Sequence, residues 1–258
     1  VSAEPNTNVC PVCLGYPGTL PVPNRHAVEL GIRLGHGLHA TVREHTKFDR
    51  KNYFYPDNPK GYQITQFDQP IVEDGWVEIL IDGQFKRIGV ERAHLEEDAG
   101  KLSHPAGKDY SLVDFNRAGT PLLEIFSQPD MHTPQEARRY LQEIYAIVTS
   151  LGITHGDMQH GNMKFDLNVS VSDNPDKLGT RTELKNLNSF RNAERALTYE
   201  IARQIEVVTS GETITQEMRG WDDAKGETFS QRSKEEAHDY RYFPDPDLVP
   251  FTVDYKVI

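Results

Sequence analysis

The chain has 258 residues, 37% hydrophobic and 26% charged, which is enough apolar material for a substantial core and too much for a disordered chain. Its formal net charge of −11 argues against gripping nucleic acid through bulk charge alone, but allows an acidic subunit of a larger RNA-handling complex. Two cysteines cannot build a secreted disulfide framework, no apolar run approaches the roughly 18 residues of a membrane span, and nothing resembles a signal peptide.

At about 150 residues per domain, the length suits one large domain or two small ones. The opening Val1–Asn8 reads as a loop entered from upstream. Asp245–Pro250 reads as a turn-rich exit, so the chain is expected to be a fragment. A first helix is predicted from Asn24, a good cap, to about Val42, with Ala27, Leu30, Leu34 and Leu38 on one face. Trp76–Ile81 and Phe85–Glu91 flank Asp82-Gly83, a two-residue hairpin turn. Leu122–Phe126 reads as a further strand. Thr133-Pro134-Gln135-Glu136 then offers a cap, a first-turn proline and a capping-box glutamate for a second helix that Gly152 ends. Lys164–Val171 alternates as a strand, and Thr180–Leu187 reads as another. The third helix spans about Ser189–Thr209, with Phe190, Ala193, Leu197, Ile201, Ile205 and Val208 facing inward. Three main helices among hairpin-like strands indicate an α+β fold with a largely antiparallel sheet.

Four segments could carry chemistry. Cys10-Pro11-Val12-Cys13 places two thiols at zinc-ligand spacing, which makes it half of a four-ligand site or simply two unpaired thiols. Arg43–Tyr62 holds five basic and three acidic residues among aromatics. It is either a solvated loop with its aromatics turned inward or a phosphate- and base-binding patch. In His94-Leu95-Glu96-Glu97-Asp98, an extended backbone puts His94, Glu96 and Asp98 on one face and Glu97 on the other. Glu124, Asp166 and Glu183 each sit among apolar strand residues, where a buried carboxylate needs a partner or a metal. Several carboxylates on one sheet would suit a divalent cation and phosphoryl transfer. No P-loop, GxGxxG, GxSxG or SxxK pattern occurs, so neither a standard nucleotide cradle nor a serine nucleophile is legible.

Longer strings are more specific. Cys10–Gly18 (CPVCLGYPG), Lys47–Asp57 (KFDRKNYFYPD), His94–Lys101 (HLEEDAGK), Gly119–Ile125 (GTPLLEI), Glu183–Phe190 (ELKNLNSF) and Asp239–Leu248 (DYRYFPDPDL) all resemble the B-subunit family of aspartyl/glutamyl-tRNA(Asn/Gln) amidotransferases. The resemblance covers essentially the whole chain. It implies a single cradle-like catalytic domain over residues 1–258, cut at its N-terminus and without the family's C-terminal helical and tail domains. It also implies ATP- and Mg²⁺-dependent activation of the side-chain carboxylate of a misacylated Glu-tRNA(Gln) or Asp-tRNA(Asn) to an acyl phosphate. Ammonia channelled from a glutaminase subunit would then form the amide, within a heterotrimer that includes a small third subunit. The residues it marks are Glu97, Lys51, Lys60 and Tyr53 at the catalytic and tunnel end, with Glu97, Glu124 and Glu183 toward Mg²⁺. Cys10 and Cys13 resemble half of the four-cysteine Zn²⁺ site of many members. A bacterial cytoplasmic protein is expected, with a mitochondrial or plastid one as the alternative, and no membrane partner. The alternative function is a non-catalytic acidic scaffold that docks the glutaminase and presents tRNA.

Overall fold

The computed structural model describes residues 3–233 and 239–253, so the first two residues of the predicted opening loop lie outside the described residues. In chain order the elements are α1 (Arg25–Gly37), β1 (Thr41–Val42), β2 (His45–Thr46), β3 (Asp49–Asn52), β4 (Tyr62–Thr65), β5 (Val72–Ile81), β6 (Gln84–Glu97), β7 (Lys101–Ser103), β8 (Leu112–Asp114) and β9 (Pro121–Ser127). They continue with α2 (Pro134–Ser150), β10 (Leu167–Val169), β11 (Thr182–Lys185), α3 (Phe190–Thr209), β12 (Glu217–Asp222), β13 (Glu227–Ser233), β14 (Phe243–Pro244) and β15 (Phe251–Thr252). Among the described residues, three helices and mostly antiparallel pairings make the fold α+β, as the sequence predicts; the β11–β12 pair is parallel. No helix among the described residues is long and apolar enough to cross a membrane. The backbone divides into two units: Val1–Trp76 with Gly89–Ser127 and His238–Ile258, and Val77–Ile88 with Gln128–Ala237.

In the first unit, Asn24 Oδ1 accepts from the Ala27 amide at 3.1 Å and starts α1. The helix stops at Gly37 instead of continuing to Val42. His39 takes a left-handed φ of 52°, which reverses the chain, and Thr41–Val42 pair with β5 opposite Glu73 and Val72. Gly35 permits this return, because a Cβ there would lie 2.5 Å from Val42 Cγ2. The sheet orders here are β1-β5-β6-β9 and β14-β3-β4, with two-stranded β15-β2 and β7-β8. β5 and β6 are longer than predicted. β6 runs to Glu97 because β9 pairs with it from Val90 to Glu97, so the polar run at its end is strand. Asp82 and Gly83, both at positive φ, make the expected tight turn, which lies in the Val77–Ile88 segment of the second unit.

In the second unit, α2 and α3 pack together, and the core joins Ala137, Ala196 and Leu197 to Val169, Leu184, Leu187 and Trp221 on the helices and sheet β10-β11-β12-β13. β10 and β11 are shorter than predicted: only three residue pairs join them, and Asn186 at φ 64° ends β11. The inward face of α3 also differs. Ala193, Ala196, Leu197, Glu200 and Gln204 are buried, whereas Ile205 and Val208 are exposed. Glu200 repays its burial with acceptor bonds from Arg203, Gln204 and Thr228.

Candidate functional site

The period of two along β6 sets His94 and Glu96 on one face, and the antiparallel register places Glu124 of β9 directly opposite His94. His94 Nε2 lies 3.4 Å from Glu124 Oε2 and 3.7 Å from Glu96 Oε2. Ligand atoms of these three residues lie within 4.8 Å of one another, the one such group of metal-capable residues among the described residues. His94 and Glu96 are buried, while the Glu124 side chain is 45% exposed. Glu124, in its apolar strand, has His94 as a partner but is not itself buried. β9 is half-covered along most of its length, so Glu124 keeps contact with water while touching His94.

The β3–β4 pair supplies the surroundings of Glu96. Lys51 Nζ donates to its Oε1 and Oε2 at 3.1 and 3.3 Å, and Thr65 Oγ1 donates to Oε2 at 2.8 Å. Burial works against charge on Lys51, but the pull of Glu96 outweighs it and holds the ammonium above its ordinary pKa. Burial also opposes the charged Glu96, and the hydrogen bond from His94 and the charge of Lys51 bring its carboxyl below the usual range. His94 is raised despite burial, through its contacts with Glu124 and Glu96.

The sequence-predicted residues fall in several places. Glu97 points away from this group: its Oε2 receives Lys60 Nζ and, at 2.9 Å, the Ile64 amide. Lys60 and Glu97 are thus brought together, as are Lys51 and Glu96. Tyr53 is half-buried, its ring edge-on to Tyr240 at 6.0 Å, and burial pushes its hydroxyl pKa up, with Asp57 adding to the effect. Glu183 belongs to the second unit, where Lys185 Nζ contacts its carboxylate at 2.7 Å and that of Asp166 at 2.6 Å. Asp166 precedes β10 rather than lying in it.

Cys10 and Cys13 share a turn, their sulfurs 3.2 Å apart. The Cys13 amide donates to Cys10 Sγ and lowers that thiol's pKa, whereas burial pushes Cys13 up to about 11. Their spacing would suit two ligands of a four-ligand zinc set, and the sequence given has no third cysteine. Gly119, at φ 80°, separates Cys13 from Glu97: a Cβ there would lie within 3 Å of the Cys13 side chain and 3.7 Å from Glu97 Oε1. In the basic-aromatic segment, Phe48 and Asp49 are buried, while Phe54 and Tyr55 stand exposed around a shallow hollow that Lys60 also lines.

The residues present fit a divalent cation at the His94 group. Two carboxylates converge there with an imidazole, whose Nε2 faces both of them. Carboxylates suit a hard ion such as Mg²⁺, whose shell is normally completed by water and phosphate oxygens. The sequence marks His94 and Glu96 as possible ligands, yet the family resemblance does not carry them to the site. Their shared face along β6 is the available signal, and Glu124 opposite His94 on the apolar β9 completes it.

Comparison with known proteins bears on the whole chain. Residues 1–258 match the family model described as the GatB/GatE catalytic domain. The B subunit of the aspartyl/glutamyl-tRNA(Asn/Gln) amidotransferase of Brevibacillus brevis is 55% identical over 257 residues, covering 99% of this chain and 54% of that protein. The B subunit of the same name from Thermoanaerobacter sp. is 57% identical, covering 97% of this chain and 53% of its own length. That from Carboxydothermus hydrogenoformans is 54% identical, with the same 97% and 53% coverage. The chain spans about half the length of the curated relatives it matches.

Proposed function

Because the chain belongs to the GatB/GatE catalytic-domain family, we propose that it carries the carboxylate-activating chemistry of a tRNA-dependent amidotransferase. A side-chain carboxylate oxygen of Glu-tRNA(Gln) or Asp-tRNA(Asn) attacks the γ-phosphorus of ATP. The bond from that phosphorus to ADP breaks, leaving an acyl phosphate. Ammonia from a glutaminase subunit then adds to the acyl carbon, the carbon–oxygen bond to phosphate breaks, and a proton is released as the amide forms. Activation is needed because a carboxylate is a poor electrophile until one oxygen becomes a leaving group.

The observation that supports this reading is the convergence of His94, Glu96 and Glu124 beside Lys51 in a chain that matches the family throughout. These three residues would hold Mg²⁺, which offsets negative charge on phosphoryl and carboxylate oxygens. Lys51 holds Glu96 in place and sets a second positive charge beside it. Lys60 and Glu97 form a polar pair with Tyr53 on the neighbouring segment, a suitable lining for the passage of ammonia. The partners in this reading are the glutaminase and small subunits and the misacylated tRNA. Cys10 and Cys13 would contribute two ligands to a structural Zn²⁺.

The test is ATP-dependent conversion of Glu-tRNA(Gln) to Gln-tRNA(Gln) by the full-length chain assembled with its partners. Glu96→Gln and Glu124→Gln are each expected to assemble and bind tRNA while losing roughly 100-fold or more in conversion rate. A complex that binds misacylated tRNA but converts neither Glu-tRNA(Gln) nor Asp-tRNA(Asn) would replace this reading with the scaffold.

A further inference from the structure

Phe67, just after β4, is 51% exposed, yet the backbone around it is held from several sides. Its amide donates to Asp49 Oδ2 at 2.8 Å. The Arg92 guanidinium donates to the carbonyls of Phe67 and Gln66 at 2.6 and 2.5 Å. Gln66 is buried, and its side chain donates to Thr46 Oγ1 at 2.7 Å. One face of the Phe67 ring lies on Tyr242, with centroids 4.2 Å apart and planes 8° from parallel. Tyr242 meets Tyr240 edge-on, and the Tyr240 ring lies 5.2 Å from Lys51 Nζ.

Stacking on Tyr242 accounts for the covered face of the ring but gives no role to the half of the residue left in water. The position of the ring does. Tyr242 touches Tyr240, whose ring lies against Lys51, and Lys51 in turn donates to Glu96. Arg92, which fixes the Phe67 carbonyl, precedes His94 by two residues on the same strand and pairs across with Phe126. A flat apolar face therefore borders a group of residues suited to a cation and its phosphate ligands. That combination matches the two ends of a nucleotide, because a base stacks on an aromatic ring whatever its hydrogen-bonding edge.

Resting on the reading above, we propose that the Phe67–Tyr242 face is a stacking platform for an adenine base whose attached phosphate or aminoacyl end reaches the His94–Glu96–Glu124 group. Two molecules of that reaction carry such a base: ATP, and the tRNA at its 3′-terminal adenosine. The platform is a positioning feature, so its loss acts on substrate binding more than on the chemical step.

The experiment uses the full-length chain in complex with its partner subunits and varies ATP and misacylated tRNA separately. Phe67→Ala is expected to raise the KM of one of the two substrates about 10-fold with kcat changed less than about 2-fold, and Phe67→Trp to restore it. A shift in KM for ATP assigns the platform to the mononucleotide; a shift for tRNA assigns it to the terminal adenosine. In the Phe67→Trp complex, ATP alone or tRNA alone should quench tryptophan emission, a readout independent of turnover. Phe85→Ala, at an exposed position in the β5–β6 hairpin, serves as the control and should change neither KM. The proposal is overturned if neither KM moves and neither ligand quenches, or if Phe67→Ala prevents subunit assembly, which would make this face a subunit contact. Absence of any conversion by the unaltered complex would instead remove the functional reading, while the quenching measurement still decides the platform.

Discussion

Glu136 shows how one side chain can join a helix start to a distant strand. It follows the cap by three residues, and Thr133 Oγ1 accepts from its amide at 3.1 Å. Its own carboxylate accepts from the His132 amide at 2.6 Å and from Lys86 Nζ at 2.9 Å. Burial opposes the charge, but the His132 amide and Lys86 outweigh it and hold the carboxyl below its usual pKa. A depressed folded pKa stabilises the protein above the unfolded value of 4.5, and the benefit is lost as pH falls through the folded pKa. Glu136→Gln should therefore cost about 1 kcal/mol at neutral pH, and the two proteins should converge in strongly acid solution. Denaturant midpoints measured at several pH values check this; a difference independent of pH would show that charge is not the cause. The capping signal is readable from Thr133 and Glu136 alone, whereas the tie to Lys86 depends on tertiary packing. The candidate site divides in the same way. Alternation along β6 puts His94 and Glu96 on one face, but only the pairing with β9 brings Glu124 opposite them, and only the β3–β4 pair delivers Lys51.

At the scale of elements, α3 is the informative case. Counting apolar residues leads from Leu197 to Ile201 and Ile205, four and eight positions on. The buried stripe instead takes the steps of three and seven, to Glu200 and Gln204. Both choices are compatible with a helical period, and hydrophobicity favours the isoleucines. The polar choice prevails because the sheet offers partners: Thr228 Oγ1 donates to Glu200 at 2.8 Å, Gln204 reaches the Val169 carbonyl, and Arg219 lies 3.4 Å from Glu200. Glu200 is fully buried, and so are its neighbours Gln204 and Thr228, which therefore have little access to water in its place. Glu200→Leu is expected to lower stability by about 3 kcal/mol, because Arg219, Thr228 and Gln204 lose a buried acceptor, and Glu200→Gln by less. Urea unfolding reads this as a lower midpoint with an unchanged m-value; a neutral Glu200→Leu would mean that the network contributes no net stability. Helix starts are legible at Asn24, Thr133 and Ser189 because capping is local, whereas the end of α1 depends on the pairing of Val42 with Val72.

At the scale of the whole molecule, length leaves one domain or two equally open, and no shift in composition marks a boundary. The reason is that the second unit takes the hairpin segment Val77–Ile88 from the middle of the first unit's sequence. Each unit has its own buried apolar set, with Leu34, Val42 and Val72 in the first and Leu184, Ala196 and Leu197 in the second. Separate cores allow separate opening. Gly35→Ala tests this, since helix propensity alone would favour alanine by about 1 kcal/mol. The new Cβ would meet Val42 Cγ2 at 2.5 Å and Val72 Cγ2 at 3.2 Å, and a β-branched neighbour has little rotamer freedom with which to yield. Overpacking should win and destabilise the first unit by about 1–2 kcal/mol. Hydrogen exchange should then quicken at the amides of α1 and at Val72, while the amides of α3 and β12 keep their protection. Equal acceleration in both sets would mean that the units open as one cooperative block, so that strain at the α1–β1 return is felt throughout the chain.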